Sequence, residues 1–313
     1  MNVSEEGPVV VGVDGSDEGL RAVRYAVREA QRAGCGLRLV HAAPETVPMA
    51  PMLPLVSVET IDRVSHRIVN EAKQLAYDLT DGDLEVEKVI KSGSRVRVLV
   101  DASEDARMVV LGHRDRSLLG RVFTHSTCTG VAARATCPVV GIPAAGWTFG
   151  TEHGRVVVGV EGPAHAQEAL AVAFAAASER HAKLAVVHAW KMQSPYDDLI
   201  AARVSDEEWI RSAKQMLEEI LGDWREAYPE VEVEIDVRHE YTASALVQAT
   251  EHADLLMLGR RGGTAVGGLF LGSTVRTLIR EALCPVVVAP PRPGHDALPS
   301  RRLMTEDEVE PQA

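Results

Sequence analysis

The chain has 313 residues, enough for two domains of ordinary size that each bury their own core. Its formal net charge of -12 at pH 7 argues against a nucleic-acid surface, because binding there depends on Lys and Arg that neutralise phosphates. No apolar run approaches the roughly 20 residues of a membrane span, and neither a signal peptide nor a disulfide framework is indicated, so we expect a cytoplasmic protein without membrane contact.

In chain order, the first half alternates short β-branched runs with longer segments of helical period. Val23, Val27 and Ala30 share one face of the helix after the first run, and a second apolar stripe extends from Ile61 to Leu79. This alternation predicts an α/β fold with a mainly parallel sheet covered by helices on both faces. Strands are predicted at 8–13, 36–42, 84–90, 108–112 and 139–142.

The second half repeats the first at a constant offset of 147 residues. Val9–Asp14 returns as Val156–Glu161, and Cys137–Val140 returns as Cys284–Val287. An offset of this length indicates duplicated domains rather than a solenoid of short repeats. We predict a first domain over 1–142, a linker over 143–154, a second domain over 155–290 and a disordered tail over 291–313.

Two further elements of the second half are predicted from their periodicity. Residues 231–237 alternate strictly between apolar and charged side chains, which is typical of an edge strand. The helix before that strand is expected to bury the stripe Trp209, Ala213, Met216, Ile220 and Trp224.

A glycine-rich segment follows the fourth predicted strand of the second half. It has the pattern Gly259-x2-Gly262-x9-Gly272-Ser273, and an apolar helix begins at Ser273 and Thr274. Glycine lets backbone N–H groups approach an anion closely, and a helix start adds unpaired N–H donors. Because the segment lies beyond the carboxyl end of a central parallel strand, it predicts a site for a di- or triphosphate.

The alternative is an ordinary glycine-rich loop before a capped helix. Arg260 and Arg261 favour the phosphate site, since they are expected to supply counter-charge. The segment is not a Walker A loop, because Gly267-x4-Gly272 lacks the following Lys. No G-x-G-x-x-G fingerprint follows the first strand of either half.

With these motifs, both halves resemble the universal stress protein family, and the whole chain resembles its tandem two-domain form. The resemblance covers about residues 8–142 and 155–290. It implies that each half has an adenine-nucleotide α-hydrolase-like fold with a five-stranded parallel sheet of order 3-2-1-4-5. It also implies that the two halves pack as an intrachain pseudo-dimer through their last strands. It also implies an ATP site built from the ends of the first and second strands and from the glycine motif.

Residue by residue, the second half keeps the family's phosphate positions. Its first strand ends in Glu161-Gly162-Pro163 where the family has Asp-Gly-Ser, so a carboxylate one methylene longer must reposition to reach adenosine. The nucleotide site that the resemblance implies here comprises Val160, Glu161, Ala189, Leu258, Gly259, Arg261, Gly262, Gly272, Ser273 and Thr274.

The first half keeps the strand-end motif Asp14-Gly15-Ser16 but loses the loop pattern, since Asp115 and His125 replace two glycines. An acidic side chain within ~4 Å of a phosphate charge costs about 1 kcal/mol even in bulk water. We expect this pocket to be empty or to hold adenosine alone. The positions that would match a site are Asp14, Ala42, Gly112, Arg114, Ser126 and Thr127.

The leading interpretation is an ATP-binding regulatory protein of the stress response, without catalytic or metal-ligating residues of its own. Mg²⁺ can accompany the phosphates, another adenine nucleotide can replace ATP, and partner proteins or a second copy are expected to read the occupied state. One alternative is an interaction scaffold whose pockets have both decayed. Another is a slow ATP hydrolase, although a Walker Lys, a Walker B Asp and a motif-placed base are missing. His41 and His188, at matching strand ends, are interpreted as structural residues.

Overall fold

The computed structural model describes residues 7–45, 57–113, 127–144, 147–150, 152–163, 166–191, 206–260 and 271–291. The first half contains β1 (Val9–Gly12), α1 (Asp17–Ala33), β2 (Leu37–Ala43), α2 (Val58–Asp78), β3 (Val86–Ser92), α3 (Arg95–Asp101), β4 (Met108–Gly112), α4 (Thr127–Ala132) and β5 (Val139–Ile142). The second half contains β6 (Arg155–Gly159), α5 (Gln167–Arg180), β7 (Lys183–Trp190), α6 (Asp206–Ala227), β8 (Val233–His239), α7 (Thr242–Ala249), β9 (Leu255–Gly259), α8 (Ser273–Glu281) and β10 (Val286–Ala289).

The ten strands form a single sheet of order β3-β2-β1-β4-β5-β10-β9-β6-β7-β8. Every neighbouring pair is parallel except β5 and β10, which run antiparallel with Val140 opposite Val287. Each half therefore has the order 3-2-1-4-5, and the halves join through their last strands. The predicted α/β fold and the intrachain pseudo-dimer are confirmed.

Helix α1 illustrates how local sequence sets an element's limits. The Ser16 hydroxyl accepts a hydrogen bond from the Gly19 N–H at 3.1 Å, which caps the helix start. Gly34 ends the helix with a φ of 62°, a left-handed conformation that glycine adopts without strain. Between these ends, the predicted face of Val23, Val27 and Ala30 is buried against the sheet.

The predicted periodicity of the second half is correct for the edge strand and only partly correct for α6. β8 lies at the edge of the sheet, as the alternation of 231–237 predicts. In α6 the fully buried side chains are Leu217, Leu221 and Trp224. The expectation for Trp209 is wrong, because it is 46% exposed and packs its ring on Trp190 instead of entering the core.

The described part of the predicted linker packs on α1. Arg21 donates hydrogen bonds to the carbonyl oxygens of Ala144 and Trp147, and the Trp147 ring meets the Tyr25 ring at 6.1 Å. Nearby, Arg180 of α5 forms an ion pair with Glu29 of α1, and both side chains are at most 9% exposed. The halves are therefore joined by polar side chains as well as by the sheet.

Candidate functional site

The described site residues of the second half meet at one edge of the sheet. Val160 and Glu161 follow β6, while Ala189 and Gly259 lie at the carboxyl ends of the two strands that flank it. Leu258 precedes Gly259 and is buried. Three adjacent parallel strands thus bring together the residues that the family resemblance assigns to the nucleotide, at the edge where open α/β sheets bind ligands.

Helix α8 begins at the same edge with Ser273 and Thr274. Gly272 is its N-cap residue, with extended backbone angles and no side chain that could bond the first helical N–H groups. A Cβ added at Gly272 would meet no atom of the described residues within 4 Å. Within the described ranges no side chain caps the N–H donors of the first turn, and such donors can bind an anion. Arg261 and Gly262 lie outside the described residues.

The Arg260 side chain bonds the first half of the chain, whereas the sequence predicts that it supplies counter-charge to phosphates. Its Nη1 donates to the carbonyl oxygens of Ala132 at 2.9 Å and Ala135 at 3.0 Å, both in the first half. Its backbone N–H donates to the carbonyl of Ala289 in β10 at 2.8 Å. Burial lowers the pKa of this guanidinium. Arg260 therefore bonds the C-terminal end of α4 across the domain boundary, where a cation is favourable.

The described site residues of the first half have the same places in the fold. Ala42 is near the end of β2, Gly112 ends β4 and Thr127 begins α4. The Asp14 carboxylate accepts hydrogen bonds from the backbone N–H of Ser16, at 3.1 Å, and from its hydroxyl. Arg114, Asp115, His125 and Ser126 lie outside the described residues, so the loss of the loop pattern stays a prediction from sequence.

His41 and His188 make the same contact in both halves. The Nδ1 of His41 lies 2.8 Å from the Val13 carbonyl oxygen, and the Nδ1 of His188 lies 2.9 Å from the Val160 carbonyl oxygen. A carbonyl only accepts, so Nδ1 carries the proton in each ring. The interpretation of these side chains as histidines bonded to the backbone is confirmed.

An aromatic cluster next to the candidate site of the second half was not predicted from the repeated sequence pattern. The Trp190 ring stacks on His239 at 4.1 Å and on Trp209 at 5.4 Å between centroids. The Trp190 Nε1 is buried and has no hydrogen-bond partner in the described part of the chain. At the offset of 147, the first-half equivalents of Trp190 and His239 are the small residues Ala43 and Ser92. This difference between the halves is the sequence feature that could have indicated the cluster.

Three of the four cysteines are packed thiols, and Cys35 is only half-buried. Cys128, Cys137 and Cys284 are buried, and burial raises the pKa of both Cys128 and Cys137 to about 12. Within the described ranges, no group of three or more His, Cys, Asp or Glu side chains is placed to hold a metal ion. No helix among these residues is both long and apolar enough to cross a membrane.

Comparison with known proteins places both halves in one family. The model of the universal stress protein family matches residues 7–143 and 152–290. A universal stress protein from Mycolicibacterium smegmatis is 32% identical over 290 residues, which covers 91% of this chain and 97% of that relative. A universal stress protein structure from Archaeoglobus fulgidus covers 92% of this chain and 98% of its own, with 19% identity and a TM-score of 0.68. A universal stress protein structure in complex with cAMP is 26% identical over 44% of this chain, with a TM-score of 0.36.

Proposed function

Because the chain belongs to the universal stress protein family through both of its halves, we propose that it is an ATP-binding regulatory protein of the stress response that holds its nucleotide in the second domain. The observation that carries this proposal is the start of α8, which no side chain of the described residues caps and which lies at the same sheet edge as the ends of β6, β7 and β9. The N–H groups of such a helix start, together with the positive end of its dipole, favour an anion without any cationic side chain.

The roles of the individual residues follow from their places at this edge. The α8 start with Ser273 and Thr274 receives the phosphates, and Gly259 and Gly262 let the backbone approach them. Glu161 accepts from the adenosine hydroxyls, and the Ala189 backbone bonds the base. Mg²⁺ fits this arrangement as an ion held through phosphate oxygens and water, which is how it commonly binds beside nucleotides.

ATP acts here as a signal rather than as a fuel. Ligand contacts along 260–272 give the occupied protein a surface that partner proteins can distinguish from the free one. The first domain contributes little nucleotide affinity, because Asp115 would face the phosphates.

The test is calorimetric titration of Mg–ATP into wild type, Gly262→Asp and the double variant Asp115→Gly/His125→Gly. Gly262→Asp copies the first half's departure from the motif, and the double variant restores the motif in the first half. We expect one site per chain in wild type, none in Gly262→Asp and two in the double variant. ADP, cAMP and adenosine, titrated in parallel, identify the preferred adenylate.

Two results would contradict the proposal. Two sites in wild type would mean that the first domain binds the triphosphate despite Asp115 and His125. No binding of any adenylate would favour a ligand-free scaffold, for which the Glu161-Gly162-Pro163 sequence is the motivating feature.

A further inference from the structure

The two histidines that bond strand-end carbonyls lie where a parallel ladder would otherwise continue. The Val160 N–H donates to the Val187 carbonyl at 3.0 Å, as in a regular β6–β7 pair. In regular parallel pairing, the Val160 carbonyl would then accept from the N–H of Ala189, two residues further along β7. That carbonyl is instead bonded by the Nδ1–H of His188 at 2.9 Å.

The same replacement occurs in the first half. The Val13 N–H donates to the Val40 carbonyl at 2.9 Å, and His41 bonds the Val13 carbonyl at 2.8 Å. Ala42 stands there in the place of Ala189. Two domains with different loops thus keep one side-chain bond at the same point of the sheet.

We infer that His188 is a positioning residue for the nucleotide base: its Nδ1–H displaces the Ala189 amide from the Val160 carbonyl and so leaves the N–H and C=O of Ala189 directed past the end of β6, at the sheet edge where the site residues meet. This inference rests on the proposed function. Among the described residues, the Ala189 carbonyl has only a long contact of 3.4 Å from the Thr242 hydroxyl. One residue therefore presents a donor and an acceptor side by side, which suits the hydrogen-bonding edge of a purine.

His188 also fixes the start of the loop that carries Glu161. Val160 is held through its N–H by β7 and through its C=O by His188, so both polar groups of the residue before Glu161 are bonded to the same strand. Losing the imidazole would free that carbonyl, and regular parallel pairing would offer it the Ala189 amide. The base contact and the orientation of Glu161 would then change together.

Amide hydrogen exchange on the full chain labelled with ¹⁵N-alanine tests the displacement without any ligand. We expect the Ala189 amide to exchange readily in wild type and at least about tenfold more slowly in His188→Leu, because its N–H takes over the vacant carbonyl. His41→Leu is the matched control, in which Ala42 slows and Ala189 is unchanged. An Ala189 amide that is already protected in wild type, or that does not slow in His188→Leu, overturns the inference.

Titration with adenosine and with Mg–ATP tests the consequence for binding. His188→Leu should weaken both ligands by about tenfold, since the base is common to them, whereas His41→Leu should leave the second site unchanged. His188→Asn, whose carboxamide N–H can stand near the Nδ1 position, should restore most of the affinity. Equal losses in His188→Asn and His188→Leu, or a loss for ATP alone, contradict the positioning role. If wild type binds no adenine nucleotide, the proposed function fails, and the exchange experiment alone decides the inference.

Discussion

Replacement of Arg260 by methionine separates two roles that this position could have. The substitution keeps an unbranched apolar side chain and removes the donors to the carbonyls of Ala132 and Ala135. Hydrogen bonds from a charged group contribute about 1.5–3 kcal/mol each, and burial of the guanidinium offsets part of that gain. Both acceptor residues are almost fully buried, so water replaces the bonds poorly. We expect Arg260→Met to lower the free energy of unfolding by about 2–3 kcal/mol.

Thermal and urea unfolding measure this loss, and calorimetric titration of Mg–ATP measures the other role. At about 2 °C per kcal/mol for a chain of this size, the melting temperature should fall by roughly 5 °C. The affinity for ATP should stay within about twofold of wild type, because the side chain extends to the first domain. Arg280→Ala is the control, since the Arg280 side chain is 63% exposed and, among the described residues, forms an ion pair only with its neighbour Glu281. It should change stability by less than about 0.5 kcal/mol.

The opposite pattern would refute this reasoning. If Arg260→Met kept full stability and lost tenfold or more in ATP affinity, about 1.4 kcal/mol, then Arg260 would serve the phosphates as its place in the motif suggests. A loss of both would mean that binding in the second domain depends on the contact with α4.

Three further outcomes are expected from burial and backbone geometry. In native protein, a disulfide reagent at pH 8 should modify Cys35 alone, whereas all four thiols should react after unfolding. In urea unfolding, Gly112→Ala should lower the free energy of unfolding by about 2 kcal/mol or more, because its Cβ would lie 2.3 Å from a backbone oxygen. Gly222→Ala, at an open position on a helix surface, should raise the free energy of unfolding by up to about 1 kcal/mol. Burial and the nearby Glu29 raise the pKa of Tyr25 in the folded protein. The stability that the neutral phenol contributes is therefore complete below about pH 10 and is lost as the pH rises above that value. Tyr25→Phe should reduce this alkaline loss of stability in unfolding experiments.

The sheet could be predicted closely because its strands carry a strong local signal. The runs Val9–Gly12 and Val156–Gly159 are apolar throughout, since both faces of a central parallel strand are covered by helices. The repeat predicted two copies of this sheet, and the family resemblance implied that they meet through their last strands, as the β5–β10 pair shows. Boundaries shifted where one face is exposed: β3 covers Val86–Ser92 instead of 84–90.

The direction of long side chains at the domain boundary could not be predicted in the same way. Arg260 stands inside a phosphate-binding pattern, and only the position of α4 from the other half shows that its guanidinium reaches the Ala132 carbonyl instead. The Trp190 stack has the same origin. Its partners His239 and Trp209 come from β8 and α6, which are distant from Trp190 in sequence and meet it only in the folded chain.

The first domain keeps a structural role whatever its loop binds. His113 is the first-domain equivalent of Arg260. The His113 backbone N–H donates to the Ile142 carbonyl, just as the Arg260 backbone N–H donates to the Ala289 carbonyl. The backbone positions are thus equivalent, and the side chains have diverged. Arg260 bonds the C-terminal end of α4, and the N-terminal end of α4 carries Thr127 of the first domain's altered site. Changes at the glycines of the first loop leave the β5–β10 pairing and the carbonyls of α4 in place. The contact of Arg260 with α4 therefore gives the first domain a role in supporting the second domain that does not depend on its loop.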